Sequence, residues 1–83
     1  MMMERVIVRG KLRKYVAIEC DCGALIPRSY EYLRIKRCLP CPFCGKIVTW
    51  GSRKELRGRI YASSDDYFKL LLFTQEMNRK RGI

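Results

Sequence analysis

The sequence predicts an α+β fold: a small antiparallel β scaffold with an N-terminal hairpin and a C-terminal amphipathic α-helix, all within one domain over residues 1–83. Three observations predict it. Two pairs of cysteines, each followed by glycine, stand at Cys20-Asp21-Cys22-Gly23 and Cys41-Pro42-Phe43-Cys44-Gly45. Short β-prone runs flank both pairs, and the C-terminal quarter reads as one apolar helix with its own start and stop signals. At 83 residues a hydrophobic core alone stabilises poorly, so a metal, a disulfide or a partner subunit is expected to help.

Residues 4–9 and 11–20 are the first two β-prone runs. Val6 and Val8 alternate with arginine in the first, Leu12, Val16 and Ile18 share a face in the second, and Gly10 suits a tight hairpin turn between them. Ala24-Leu25-Ile26 reads as a short strand leaving the first cysteine pair and stopped by Pro27. Ser29 to Ile35 is expected as a loop with one helical turn capped by Ser29. Ile47-Val48-Thr49-Trp50 leaves the second cysteine pair as a strand, Gly51-Ser52 offers a turn, and Leu56 to Ala62 returns antiparallel to it. The β core therefore spans about residues 15–62.

Ser63-Ser64-Asp65-Asp66 supplies a hydroxyl N-cap and two carboxylates at the positive end of a helix dipole, and Arg79-Lys80-Arg81-Gly82 is the matching stop. The spacing predicts a helix over 64–80. Around its circumference Tyr67, Phe68, Leu70, Leu71, Leu72, Phe73 and Met77 leave a single polar strip of Asp65, Lys69, Glu76 and Lys80, whose acid-before-base pairs at i, i+4 belong on a water-facing side. One small sheet covers one apolar face. The other is expected against a second copy or a protein partner, with wrapping by the N-terminal hairpin as the alternative.

A cysteine pair followed by glycine forms a knuckle: backbone amides after the first cysteine point at its sulfur, and glycine tolerates the positive φ after the second. Pro42 presets one such turn, and the one-residue spacing of Cys20 and Cys22 makes a shorter version. The chain has no histidine and no export signal is expected at its start, so a reducing compartment and metal ligation are expected rather than disulfides. Cys20, Cys22, Cys41 and Cys44 then close a tetrahedral four-sulfur site. Zinc suits it better than iron because no cluster-type spacing is present. Cys38 forms a further CxxC with Cys41 but lacks the following glycine. It is expected as a small buried hydrophobe beside the site, replacement of one of the four ligands being the alternative. A closed site offers no position for water or substrate, so its contribution is folding free energy.

Eighteen Lys and Arg against eight Asp and Glu give a formal charge of +10, which favours a polyanionic partner, DNA or RNA. The densest basic segment, residues 46–62, puts Lys46, Arg53, Lys54, Arg57 and Arg59 on the expected second hairpin, where they would contact phosphates. Trp50 and Tyr61 would stack on unpaired bases.

At Cys20-x-Cys22-Gly23 and at Arg37-Cys38-Leu39-Pro40-Cys41-Pro42-Phe43-Cys44-Gly45-Lys46-Ile47-Val48 the chain resembles zinc-ribbon proteins. In cysteine order and spacing it is similar to the small ribbon subunit P of archaeal RNA polymerase and to short ribbon proteins of archaea and their viruses. The resemblance covers about residues 15–60. It implies a small antiparallel ribbon, structural zinc on Cys20, Cys22, Cys41 and Cys44, and a role near nucleic acid, in transcription or its regulation. The CxC first pair, Cys38, the N-terminal hairpin and the apolar C-terminal helix depart from the polymerase subunit. The turn at Ser52-Arg53-Lys54 also lacks the acidic tip of transcript-cleavage ribbons.

An enzyme is not expected, since Asp65 and Asp66 read as helix-start charges and the serines have no visible base. No apolar run approaches the length of a membrane span, and Met1 to Val8 is too short for a signal segment, so a cytoplasmic protein is expected, of the host cytoplasm if viral.

Overall fold

The computed structural model describes residues 6–8 and 10–83. Along the chain lie β1 (Ile7–Val8), β2 (Tyr15–Glu19), β3 (Leu25–Ser29), α1 (Tyr30–Lys36), β4 (Cys38–Pro40), β5 (Ile47–Thr49), α2 (Arg53–Arg59), β6 (Ile60–Ser64) and α3 (Tyr67–Lys80). β1, β6, β2 and β3 form an antiparallel sheet in that order, and β4 pairs with β5 in a separate two-stranded ribbon. The α+β architecture with antiparallel sheets and a C-terminal helix is the one the sequence predicts.

The N-terminal pair of strands, bent at Gly10, is present, with β6 inserted between its two arms. β6 matches Ser63 with Ile7 on one side and with Val16 on the other. Lys11 to Lys14 cross the end of β6, where the Ser63 hydroxyl donates to the Lys11 carbonyl at 3.1 Å. Asp65 fixes the crossing further, accepting from the Lys14 N–H at 3.3 Å and from Arg13 at 3.2 Å. Of the first expected run, Glu4, Arg5 and Arg9 lie outside the described residues, as do Met1 to Met3.

The sheet separates two apolar clusters. On one side Val16, Ile18 and Ile26 pack with Leu33, Leu39, Val48, Trp50 and Leu56, with Leu12 against them. On the other, Val6, Ala17, Leu25 and Ala62 meet Leu70 and Phe73 of α3. The register of β6 against β2 shifts between Ala17 and Ile18, skipping Tyr61. That bulge turns both Tyr61 and Ala62 toward α3 while Ile60 joins the opposite cluster.

β3 does not stop at Pro27 but runs through it to Ser29. β3 is an edge strand, and the flanking bonds from the Cys20 N–H to the Ala24 carbonyl and from the Tyr30 N–H to the Lys14 carbonyl set its parity. On that parity residues 25, 27 and 29 turn their backbone polar groups away from β2, so proline occupies a position whose missing N–H the ladder does not need. Beyond it, α1 is longer than one turn. Ser29 is its N-cap without a side-chain bond, and Arg37 closes it at φ 63, its N–H on the Leu33 carbonyl.

Residues 53–59 are helix where the returning strand of a hairpin is expected. Ser52-Arg53-Lys54-Glu55 acts as a shifted capping box: the Glu55 N–H donates to the Ser52 hydroxyl at 3.2 Å, and the Glu55 carboxylate reaches one residue past the N-cap to accept from the Gly51 N–H at 2.9 Å. Leu56 is the one residue α2 buries. The expected returning run of Leu56 to Ala62 spans a helix-to-strand junction and is not a single strand.

α3 begins later than its serines suggest. Ser63 and Ser64 are buried at the end of β6, and Asp66 is the N-cap, its carboxylate accepting from the N–H groups of Phe68 and Lys69. The helix buries Leu70, Phe73, Thr74 and Asn78. In the expected polar strip Asp65 lies before the helix and pairs with Arg13, while Glu76 pairs with Arg79. Asn78, the chain's single asparagine, accepts from the Leu25 N–H at 2.8 Å and donates to the Leu25 carbonyl at 3.0 Å. No helix among the described residues is long and apolar enough to cross a membrane.

Candidate metal centre

Each cysteine pair sits on a turn that the following glycine makes possible. Gly23 and Gly45 hold φ values of 94° and 80°, a region that side-chain-bearing residues rarely adopt. The two turns share one backbone plan. The glycine N–H returns to the carbonyl of the first cysteine, Gly23 to Cys20 and Gly45 to Cys41, each at 2.9 Å. The first cysteine's own N–H then reaches the carbonyl just past the glycine, Cys20 to Ala24 at 2.9 Å and Cys41 to Lys46 at 2.8 Å. The shorter spacing of Cys20 and Cys22 is thus accommodated by a tighter version of the same knuckle.

β2 and β3 flank the first knuckle, β4 and β5 the second, and their packing brings the four sulfurs within 4.8 Å of one another. Cys20 and Cys44 approach to 3.6 Å and Cys22 and Cys41 to 3.7 Å. Zinc–sulfur bonds of about 2.3 Å in a tetrahedron place sulfurs about 3.8 Å apart, so spacing and donor chemistry both fit a structural zinc ion. Cys20 and Cys41 are buried within the core cluster and Cys22 and Cys44 face outward, so the site joins hydrophobic interior to surface.

Desolvation pushes the Cys20 thiol up to about 12, with the Cys22 N–H acting against it. At Cys41 desolvation also raises the thiol, but the N–H groups of Cys44 and Phe43 and the sulfurs of Cys44 and Cys20 outweigh it and bring the value down to about 7. At Cys22 the Ala24 N–H lowers the thiol, yet desolvation and the sulfurs of Cys44 and Cys41 leave it raised. Of the two buried cysteines Cys41 is the better thiolate host, which is the role of amides directed at a sulfur.

Cys38 stands outside the four-sulfur cluster, as the missing glycine suggests, but it is exposed rather than buried. The two-residue period of β4 explains this: Leu39 turns into the core, so Cys38 and Pro40 turn out.

The residues expected to bind nucleic acid scatter. Trp50 is 5% exposed, and its ring N–H donates to the Leu33 carbonyl at 3.3 Å, so it is a core residue and not a stacking surface. Tyr61 stacks on Phe73 at 6.4 Å and lies under the Arg81 guanidinium at 5.1 Å. Arg59 pairs with Asp21 inside the first knuckle. Arg53, Lys54 and Arg57 are exposed on α2, and Lys46 is exposed just after the second knuckle. Arg53 also lines a cleft of about 260 Å³ with Arg34 and Arg37, over Trp50 and Leu56. Arg34 and Arg37 were not among the expected contacts; their i, i+3 spacing before the second cysteine pair was the available signal. No protein-family model, curated protein or solved structure matches the chain, so its description as a small zinc-binding domain rests on the geometry of Cys20, Cys22, Cys41 and Cys44.

Proposed function

We propose that this zinc-binding domain is a nucleic-acid-binding module, acting in transcription or its regulation. The observation that carries the reading is the cleft between α1 and α2, where Arg34, Arg37 and Arg53 surround a floor of Trp50 and Leu56. Arg37, Arg53, Lys54 and Arg57 have no carboxylate partner among the described residues, and the chain's charge of +10 adds a long-range attraction for polyanions. Structural zinc supports a binding role over a catalytic one, because four thiolates fill the tetrahedron. Zinc would hold the β4–β5 ribbon rigid and so fix the spacing of the two helices that carry the arginines.

Phosphate contacts of this kind make affinity salt-dependent, with slopes near −0.9 per phosphate on duplex DNA and −0.7 on single strands. Fluorescence anisotropy across a salt series is expected to give a slope of about −3 for the zinc-loaded protein. Joint substitution of Arg37→Ala and Arg53→Ala should flatten it by between one and two. Affinity that does not change with salt would remove the reading.

A second reading, a protein-interaction module, is favoured by α3. Phe68 is 63% exposed, and a groove of about 770 Å³ follows the helix past Val6, Leu72 and Met77. If this face meets a second copy, light scattering should give a dimer mass for the wild type and a monomer mass for Leu72→Glu. A monomeric wild type at tens of micromolar would discard the homodimer.

A further inference from the structure

We infer that Tyr15, Tyr32 and Tyr67 form a base-stacking groove that makes single strands the preferred nucleic acid; the inference rests on the nucleic-acid reading above. The three rings come from distant parts of the chain, and the sheet brings them together. Tyr15, the first residue of β2, is matched with Ser29 on one side and Ser64 on the other. It therefore lies between the start of α1 and the approach to α3. The groove, of about 490 Å³, is lined by Tyr15, Tyr32, Tyr67, Arg28 and Ser29.

The rings are arranged as a receptor rather than as filler. Tyr15 meets Tyr67 edge-on at 5.3 Å and packs against the core, which fixes one wall. Tyr32 and Tyr67 remain 46% and 39% exposed. Cations surround them: Lys14 Nζ stands 5.5 Å from the Tyr15 ring and Lys36 Nζ 5.9 Å from the Tyr32 ring. Arg28 donates to the Pro27 carbonyl at 2.7 Å, which anchors its guanidinium at the groove. The neighbouring carboxylates are engaged, Asp65 by Arg13 and the Lys14 N–H, and Asp66 by the first turn of α3.

Exposed aromatic rings interleaved with Lys and Arg accept unpaired bases on their faces and phosphates beside them, whereas a duplex keeps its base faces stacked internally. Charge separates this occupant from a proline-rich peptide, the other common guest of an aromatic groove, because an uncharged proline-rich peptide brings no phosphates to the three cations Lys14, Lys36 and Arg28. α1 carries Tyr32, with Lys36 over its ring, toward this groove and Arg34 toward the arginine cleft, which Arg37 joins from the helix C-cap, so one strand can reach both by crossing the helix.

The test uses the full-length, zinc-loaded protein with labelled 15-nucleotide oligo-dT and oligo-U and a 15-base-pair duplex. Tyr32→Ala and Tyr67→Ala should each weaken single-strand binding about tenfold and leave the duplex affinity and salt slope unchanged. Tyr32→Phe should restore wild-type binding, since the ring is retained. Tyr32 lies on an exposed helix face, so its variant serves alone if Tyr67→Ala fails to fold. Equal weakening of single strand and duplex, or no weakening of either, overturns the groove while leaving nucleic-acid binding standing on the arginine variants. Loss of all binding by the wild type removes both. Saturable binding of a proline-rich peptide, with no competition from oligo-dT, also overturns the groove.

Discussion

Stripping the zinc-loaded protein with a chelator is expected to abolish its cooperative thermal transition. Apparent zinc binding to a closed thiolate site amounts to about 10–16 kcal/mol, against a total stability of about 5–15 kcal/mol for a domain of ordinary size. The site is also continuous with the larger apolar cluster, since Cys20 and Cys41 are members of it beside Ile18, Leu39 and Val48. Losing the ion therefore releases both knuckles and the ribbon that covers one face of the sheet. Cys41→Ser should behave like the chelated protein, and Cys38→Ser should keep one zinc per chain and the wild-type melting temperature. Circular dichroism melts paired with zinc stoichiometry check this; a chelated sample that melts cooperatively within a few degrees of the loaded one would sink it. Acid should act in the same direction. A chain that has lost its fold holds thiols protonated at neutral pH, since a free cysteine titrates at about 8.5, whereas zinc-bound thiolates hold no protons. Zinc uptake therefore releases protons, and zinc-dependent stability rises with pH. It falls away most steeply below about pH 8.5, the ordinary thiol range, where binding must displace the protons.

Asn78→Ala is expected to lower stability by about 2–5 kcal/mol with zinc saturating, because it leaves two buried backbone groups of Leu25 without partners. The side-chain amide, only 6% exposed, offers an acceptor and a donor to one residue, as a neighbouring strand would. In a domain this small that loss corresponds to a fall in melting temperature of about 10–25 °C. Asn78→Asp should be no better: its carboxylate still accepts from the Leu25 N–H but faces the Leu25 carbonyl with a second acceptor. A shift under about 3 °C for the alanine variant would show that water replaces the amide at little cost.

Much of the metal site was legible because its determinants are local. A cysteine pair and a glycine occupy one turn, and the positive φ at Gly23 and Gly45 is a property of that turn alone. The end of α3 was legible for the same reason, through Arg79 to Gly82. What escaped depends on contacts between distant residues. Nothing near Ile60 announces that β6 will lie between β1 and β2, and nothing near Trp50 announces that α1 will cover it. α2 is a different case: Ser52 and Glu55 stood at capping-box spacing, but Gly51-Ser52 also read as a hairpin turn. The aromatic groove was hidden because Tyr15, Tyr32 and Tyr67 lie far apart in sequence and meet only through the pairing of β2 with β3 and β6.

The outer margin of β3 has a consequence for how the molecule meets its own kind. A free strand margin is a template on which another chain can build, the first step of strand-swapped dimers and fibrils. Here Leu25 has both backbone groups taken by Asn78, Pro27 has no N–H and gives its carbonyl to Arg28, and Ser29 turns into α1. The margin offers no row of donors and acceptors to copy. Along this side, whatever joins the protein must come through side chains, and the sheet cannot be lengthened by an added backbone.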